Sequence, residues 1–357
     1  MEVSNELHPR QPVVVSDKET GTSYILSELL GKGAFAKCYL SKEIGTERLF
    51  AVKVVSSSIL SDKQHGCFIR EEIAIHSLLH HKNIVNFKKA FTENLSLYIV
   101  LELCSNGSLK QLMKQRNQLS LVETKYMLKH ILTGVKYLHD KDIVHGDLKL
   151  ENIFLSSRMI PKIGDFGLST LISYEEDLLT DYCGTMNYMA PEIISHGGHS
   201  FAVDIWAVGC ILYKMISGKL PFETHSQNVK EKILSCDFDP HHPGLRKKIS
   251  NFIMKILNKH PRKRPSAEDL LQDEFLSNSF IPSLLPVSCL WEAPMHRDLF
   301  SRTHGSNSKC RKLKRNPITR KGRSIVKKIG KNKKLSKLGR NLHKRIVKPD
   351  RFAVKNH

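Results

Sequence analysis

The chain has 357 residues, 40% of them hydrophobic, and a formal net charge of +21. This length and apolar content allow at least one large core and about two domains, which excludes disorder of the whole chain. The charge is local: residues 301–357 hold 21 Lys and Arg against the single acid Asp350, so the basicity belongs to a tail and not to the near-neutral remainder.

Residues 1–22 are polar and lack periodicity, and they read as an N-terminal extension. YILSELLGKGAF (24–35) and ERLFAVKVV (47–55) are rich in β-branched and aromatic residues around turns, which predicts strands. CFIREEIAIHSLLHH (67–81) sets Phe68, Ile69, Ile73, Ile75 and Leu79 near helical spacing, and LSLYIVLEL (95–103) reads as a compact buried strand. From Ser108 onward helical patterns dominate, strongest over 125–139 and 203–216. The second of these, VDIWAVGCILYKMI, is the most apolar run, but Asp204 and Lys214 interrupt it. It predicts a buried helix and no transmembrane segment. RPSAEDLLQDEF (264–275) reads as a last helix.

The fold class is therefore α+β, with a β-rich lobe (23–104), a helical lobe (105–276), a linker (277–300) and a basic tail (301–357). The tail composition reads as a disordered, solvated charge run. Leu335, Leu338, Leu342 and Ile346 could alternatively line one face of a short basic helix, against which Gly330 and Gly339 argue. The eight cysteines form no CxxC pair or zinc-like spacing, and MEVSNELHPR has no apolar signal region. Both features point to a reduced, intracellular protein.

LGKGAFAKC (30–38) follows a strand and matches G-x-G-x-x-G except at Ala36. Glycines here allow close approach of phosphates, but tight turns use glycine as well. Lys53 stands two strands later, and Glu72 on the next helix is a candidate partner for its ammonium. Two further segments decide the reading: IVHGDLKLENIF (143–154) and KIGDFGLS (162–169) occur in order. Together they resemble the catalytic-loop and metal-binding signatures of protein kinases, and the resemblance covers about residues 23–276.

That resemblance implies a two-lobed kinase fold using ATP and Mg²⁺. It makes Asp147 the base that positions the attacking hydroxyl, and Lys149 a neutraliser of charge on the moving phosphate. Lys53 and Glu72 complete the catalytic set, and Asn152 and Asp165 supply oxygen ligands to the metal. The nucleotide would lie against Leu30, Gly31, Lys32, Gly33, Ala34, Phe35, Ala36, Lys37 and Cys38. Ala51, Lys53, Leu101, Glu102, Cys104 and Phe154 would complete its pocket. Lys149 and Thr185 match serine/threonine rather than tyrosine kinases. Glu192 with Arg264, and Asp204 beneath the catalytic loop, match structural positions of the family.

Within the family, Cys38, the hinge LELC (101–104), Phe154 and DEFLSNSFIPSLLPVSCL (273–290) resemble the Polo-like kinases. After Phe300 only 57 residues follow, with Phe352 the sole aromatic, so a pair of polo boxes is not expected. Three departures stand out: Gly146 replaces the usual arginine of H-R-D, Asp181 holds the activating-threonine position beside Thr180, and Met186 replaces a proline. The expected function is a serine/threonine protein kinase with a role in the cell cycle. A pseudokinase scaffold and a basic-tail nucleic-acid-binding protein are the alternatives. Expected partners are protein substrates with Ser/Thr acceptors. Through RKLKR (311–315) and KKIGKNKK (327–334), nuclear import factors, acidic proteins or nucleic acid are further candidates, as are calmodulin or an anionic membrane. The expected address is nucleus and/or cytoplasm, with the centrosome implied by the resemblance alone.

Overall fold

The computed structural model describes residues 13–172, 184–196, 200–223 and 228–295. The small lobe is a six-stranded antiparallel sheet of order β1-β2-β3-β4-β6-β5, comprising β1 (Val13–Asp17), β2 (Thr22–Lys32), β3 (Ala36–Glu43), β4 (Leu49–Val55), β5 (Phe87–Glu93) and β6 (Ser96–Glu102). Strand alternation explains how its two faces differ. Phe50 and Val52 of β4 point into a core with Tyr24, Phe91, Tyr98 and Val100. Ala51 and Lys53 therefore face the other side, where Lys53 pairs in register with Cys38 and Ile99, and Ala51 with Leu101.

β1 corrects the reading of residues 1–22 as an extension. All five of its residues pair with β2, and Asp17 accepts the Lys89 ammonium at 2.7 Å, which ties this edge to β5. The strand is only VVVSD, too short amid polar neighbours to give a period-2 signal.

Two helices follow β4: α1 (Ser57–Ser61) and α2 (Lys63–Ser77). Asp62 caps α2 by accepting the His65 N–H at 2.8 Å. The helix therefore starts four residues before the predicted 67.

The large lobe holds α3 (Leu109–Arg116), α4 (Leu121–His139), the short strands β7 (Ile143–Val144), β8 (Ile153–Leu155), β9 (Pro161–Ile163) and β10 (Thr170–Leu171), and then α5 (Pro191–Ile194), α6 (Ala202–Ser217), α7 (Val229–Ser235), α8 (Lys247–Ile256), α9 (Ala267–Gln272) and α10 (Glu274–Ser277). Capping boxes at Ser108 and Ser120 start α3 and α4. α6 is buried on nearly every face, with Trp206 fully enclosed and stacked on Phe222 at 5.2 Å. Among the described residues no helix is long and apolar enough to cross a membrane.

The helix expected over 264–275 is divided. Asp273 adopts an extended backbone between α9 and α10, and its carboxylate caps α10 by accepting the Phe275 N–H at 2.9 Å. A short acidic side chain that can satisfy the backbone itself competes with helix continuation. The stretch read as a linker from 277 also packs onto this lobe. Leu285 and Cys289 are buried in its core, while the Arg116 guanidinium donates to the carbonyls of Cys289 at 2.5 Å and Glu292 at 2.8 Å.

Arg264 donates to both carboxylate oxygens of Glu192, at 2.6 and 2.7 Å, to the Ala202 carbonyl at 2.9 Å, and lies 4.9 Å from the Trp206 ring centroid. Its side chain is fully buried. Removing one partner strands the other as a buried charge, so Glu192→Ala is expected to destabilise the domain by about 3–5 kcal/mol in urea unfolding. A loss under about 1 kcal/mol would show that water or neighbours replace the carboxylate.

Candidate active site

The hairpin of β2 and β3 forms the roof of the cleft. Gly33 closes its turn by donating to the Ala36 carbonyl at 2.8 Å, and a Cβ at Gly31 would meet nothing within 4 Å. The backbone at Gly31 therefore has open space beside it. The Phe35 ring at the tip rests 4.6 Å from the His65 ring of α2.

Beneath the roof, the Lys53 ammonium donates to Glu72 Oε1 at 2.6 Å and to Asp165 Oδ1 at 3.4 Å. This joins β4, α2 and the Asp165–Gly167 turn at one point. Burial would lower the pKa of Lys53, but the two carboxylates outweigh it and hold the ammonium above its ordinary range. Burial likewise opposes ionisation of Asp165, and the Lys53 charge outweighs it, so the carboxyl lies below its usual range. Asp165 occupies a left-handed backbone with φ 63°, a conformation that costs a non-glycine residue energy.

The catalytic-loop segment forms a second cluster. Thr185 Oγ1 donates to Asp147 Oδ1 at 2.9 Å, and the Lys149 ammonium bridges Asp147 Oδ2 at 2.5 Å and Thr185 Oγ1 at 2.9 Å. Asn152 Nδ2 donates to the Asp147 carbonyl at 2.8 Å and to its carboxylate at 3.2 Å. The loop itself hangs on Asp204, 1% exposed at the start of α6, which accepts the His145 N–H at 2.9 Å and the Gly146 N–H at 3.1 Å. His139 from the end of α4 is its third partner at 3.0 Å. Burial pushes the Asp204 pKa up, but His139 and the backbone donors outweigh that and keep it ionised.

At the back of the cleft, Leu101 pairs with Ala51 across β6 and β4, and the Glu102 carboxylate is held by the Asn86 N–H and Lys162, both at 3.1 Å. The Phe154 ring lies under Gly164, where an added Cβ would meet it at 3.1 Å. Burial raises the thiols of Cys38 and Cys104 to about 11 and about 12, which makes both poor nucleophiles near neutrality.

The Protein kinase domain family model matches residues 24–276. The chain belongs to the protein kinase family. It is 42% identical over 288 residues to the serine/threonine-protein kinase polo of Drosophila melanogaster, covering 80% of this chain and 49% of that protein. It is 41% identical over 288 residues to plk-1 of Caenorhabditis elegans, covering 80% and 44%, and 40% identical over 285 residues to PLK1 of Xenopus laevis, covering 79% and 47%. The chain thus carries a serine/threonine kinase domain of Polo-like type and spans about half the length of the curated relatives it matches.

Every site residue named from the sequence falls among the described residues; hydrogen bonds join Lys53 to Glu72 and Asp165, and Asp147 to Lys149 and Asn152. Thr180 and Asp181 lie outside the described residues. Sequence reading missed His139. His139 closes its contact through packing of α4 against α6, and no local spacing announces it.

Gly146 has a backbone reason beyond the loss of an arginine charge. Its φ is +77°, and a Cβ there would lie 2.8 Å from the Leu168 carbonyl oxygen. An L-residue in this conformation costs about 1–2 kcal/mol before the clash is counted. Gly146→Ala is therefore expected to lower stability by at least that amount and to slow phosphotransfer, since Asp147 is the next residue. Unfolding midpoints and turnover unchanged from wild type would show that the loop shifts freely.

Proposed function

We propose that this chain is an active kinase that transfers the γ-phosphoryl group of ATP to serine and threonine hydroxyls of proteins, with Mg²⁺. The observation that carries the reading is the cluster in which Lys149, Asn152 and Thr185 each lie within 3.2 Å of the Asp147 carboxylate, together with the Lys53–Glu72 pair. Asp147 would orient the acceptor hydroxyl and take its proton, and Lys149 would stay paired with charge developing on the phosphoryl oxygens. Lys53, fixed by Glu72, would hold the α- and β-phosphates.

Asn152 and Asp165 fit a hard cation. Both offer oxygen, Asp165 is held ionised, and its side chain is half-exposed to the cleft. Among the described residues no three His, Cys, Asp or Glu side chains converge as a metal cage. That suits Mg²⁺, which is bound by one or two protein ligands plus substrate phosphates. Asn152 and Asp165 would hold the cation, which would supply positive charge to neutralise phosphate oxygens.

The pseudokinase alternative would require one of these groups to be missing or misplaced. An assay of γ-³²P transfer from ATP to casein tests the reading. Asp147→Asn and Lys53→Met are each expected to reduce transfer by about 10²–10³-fold or more while the folded spectrum is retained. Near-normal transfer by either folded variant would overturn the site.

The basic tail and the Polo-like resemblance support a wider reading, in which the kinase acts in cell-cycle control and reaches the nucleus. The net charge of +20 over 301–357 also suits polyanions. Full-length protein is expected to bind heparin or DNA with an affinity that falls steeply between 50 and 200 mM salt, roughly 10³-fold or more if six or more phosphates are neutralised. Binding that survives deletion of 301–357, or that ignores salt, would remove the tail from this role.

A further inference from the structure

The segment that follows α10 carries apolar residues in two directions. Ile281 packs against the core of the large lobe, and Leu285 and Cys289 are buried in it. Val287, Trp291 and Met295 lie on the outside, with exposures of 43%, 65% and 51%. Inward and outward residues each recur at steps of four, so one short stretch serves the core and leaves a second apolar set in solvent.

The backbone beneath that outer set is clamped. A 3₁₀ turn over Val287–Leu290 leads into Trp291, whose N–H donates to the Ser288 carbonyl at 2.9 Å, and the Glu292 N–H donates to the same oxygen at 3.1 Å. The Arg116 guanidinium holds the carbonyls of Cys289 and Glu292, one on each side of Trp291. Arg116 is itself buried and paired with Glu123 at 2.9 Å. Single exposed apolar side chains are ordinary on a protein surface. Three within the nine residues 287–295, one of them a tryptophan on a fixed backbone, mark an interaction site.

The chain that follows indicates what covers it. Residues 301–357 carry 21 Lys and Arg against the single acid Asp350. Residue 301 comes ten positions after Trp291, which is at most about 35 Å of extended chain, so apolar anchor and cationic stretch are tethered together. An anionic lipid surface takes both. Acidic headgroups attract the cations, and the boundary between headgroups and acyl chains accommodates a tryptophan with aliphatic neighbours. Nucleic acid takes the cations and can stack on an indole, but it offers no apolar layer to Val287 and Met295.

We propose that Trp291, flanked by Val287 and Met295, is an interfacial anchor that acts with the basic tail to dock this domain on anionic lipid surfaces. Either signal alone gives weak, reversible adsorption, whereas the two together hold the protein at the surface. The proposal adds an apolar contact to the polyanion reading of the tail and does not depend on the catalytic reading of the cleft.

The chain has two tryptophans, and the other, Trp206, is fully enclosed and stacked on Phe222. A change in tryptophan emission on binding therefore reports Trp291. Full-length protein is mixed, at about 0.1 M salt, with vesicles of phosphatidylcholine alone or with about one-third phosphatidylserine. Co-sedimentation reads binding, and quenching by bromine-labelled acyl chains reads insertion. Wild type is expected to bind the anionic vesicles at least about 10²-fold more tightly than the neutral ones, with a blue shift and quenching of the emission. Trp291→Phe is expected to bind nearly as wild type while the shift disappears, and Trp291→Ala to bind roughly tenfold more weakly. Both variants keep the Arg116 clamp, which grips backbone carbonyls.

No vesicle binding, binding without any change in wild-type emission, equal binding to both vesicle types, or undiminished binding by Trp291→Ala would each overturn the anchor. Duplex DNA is tested in parallel. DNA binding without vesicle binding overturns the anchor and leaves the polyanion reading standing, whereas failure with both overturns that reading as well.

Discussion

The ion pair between Lys53 and Glu72 is the contact on which the rest of the cleft depends. It joins a central strand of the sheet to α2 and, through Asp165, to the large lobe. Such a pair is a poor source of stability, because desolvating two charges offsets most of their attraction. Its value is positional. A single ammonium that must touch carboxylates from two other elements allows only one arrangement of strand, helix and turn, and that arrangement leaves the Lys53 face of the sheet aimed into the cleft.

The large lobe uses a related device for a segment that has no regular structure of its own. Residues 145–149 lie between β7 and a short 3₁₀ turn, so their backbone donors have no ladder to join. Asp204 supplies the missing acceptors from within α6, the most apolar helix of the chain. A carboxylate at 1% exposure is tolerable only because two backbone N–H groups and His139 surround it. The apolar helix and the polar loop are thus one unit: the helix is buried deeply enough to be rigid, and the one acid it carries fixes where Asp147 stands.

Legibility in the sequence followed the range of the interaction. β4, β6, α4 and α6 were readable because each carries its own pattern over seven or more residues. The catalytic and metal-binding signatures were readable because their residues lie within a few positions of one another, with glycine and asparagine at fixed offsets. β1 was not, since five residues on a sheet edge carry no period. Nor was the packing of residues 285–292, which depends on Arg116 far upstream, or the break at Asp273, where a local cap defeats a helical composition.

Gly146 shows how a charge-based reading and a backbone-based reading of one substitution can both hold. As a lost arginine, it removes a cation beside the catalytic loop. The strands β7 and β10 beside it carry Ile143, Val144, Thr170 and Leu171, none of them a cation. As a glycine, it occupies a left-handed conformation pressed against the Leu168 carbonyl, where a side chain has no unstrained place. The two effects reinforce each other. With no side chain at 146, the loop is held by Asp204 through the backbone N–H groups of His145 and Gly146. The geometry of Asp147 is then set by α6 and by Thr185 and Lys149 beside it, all of which are part of the folded lobe.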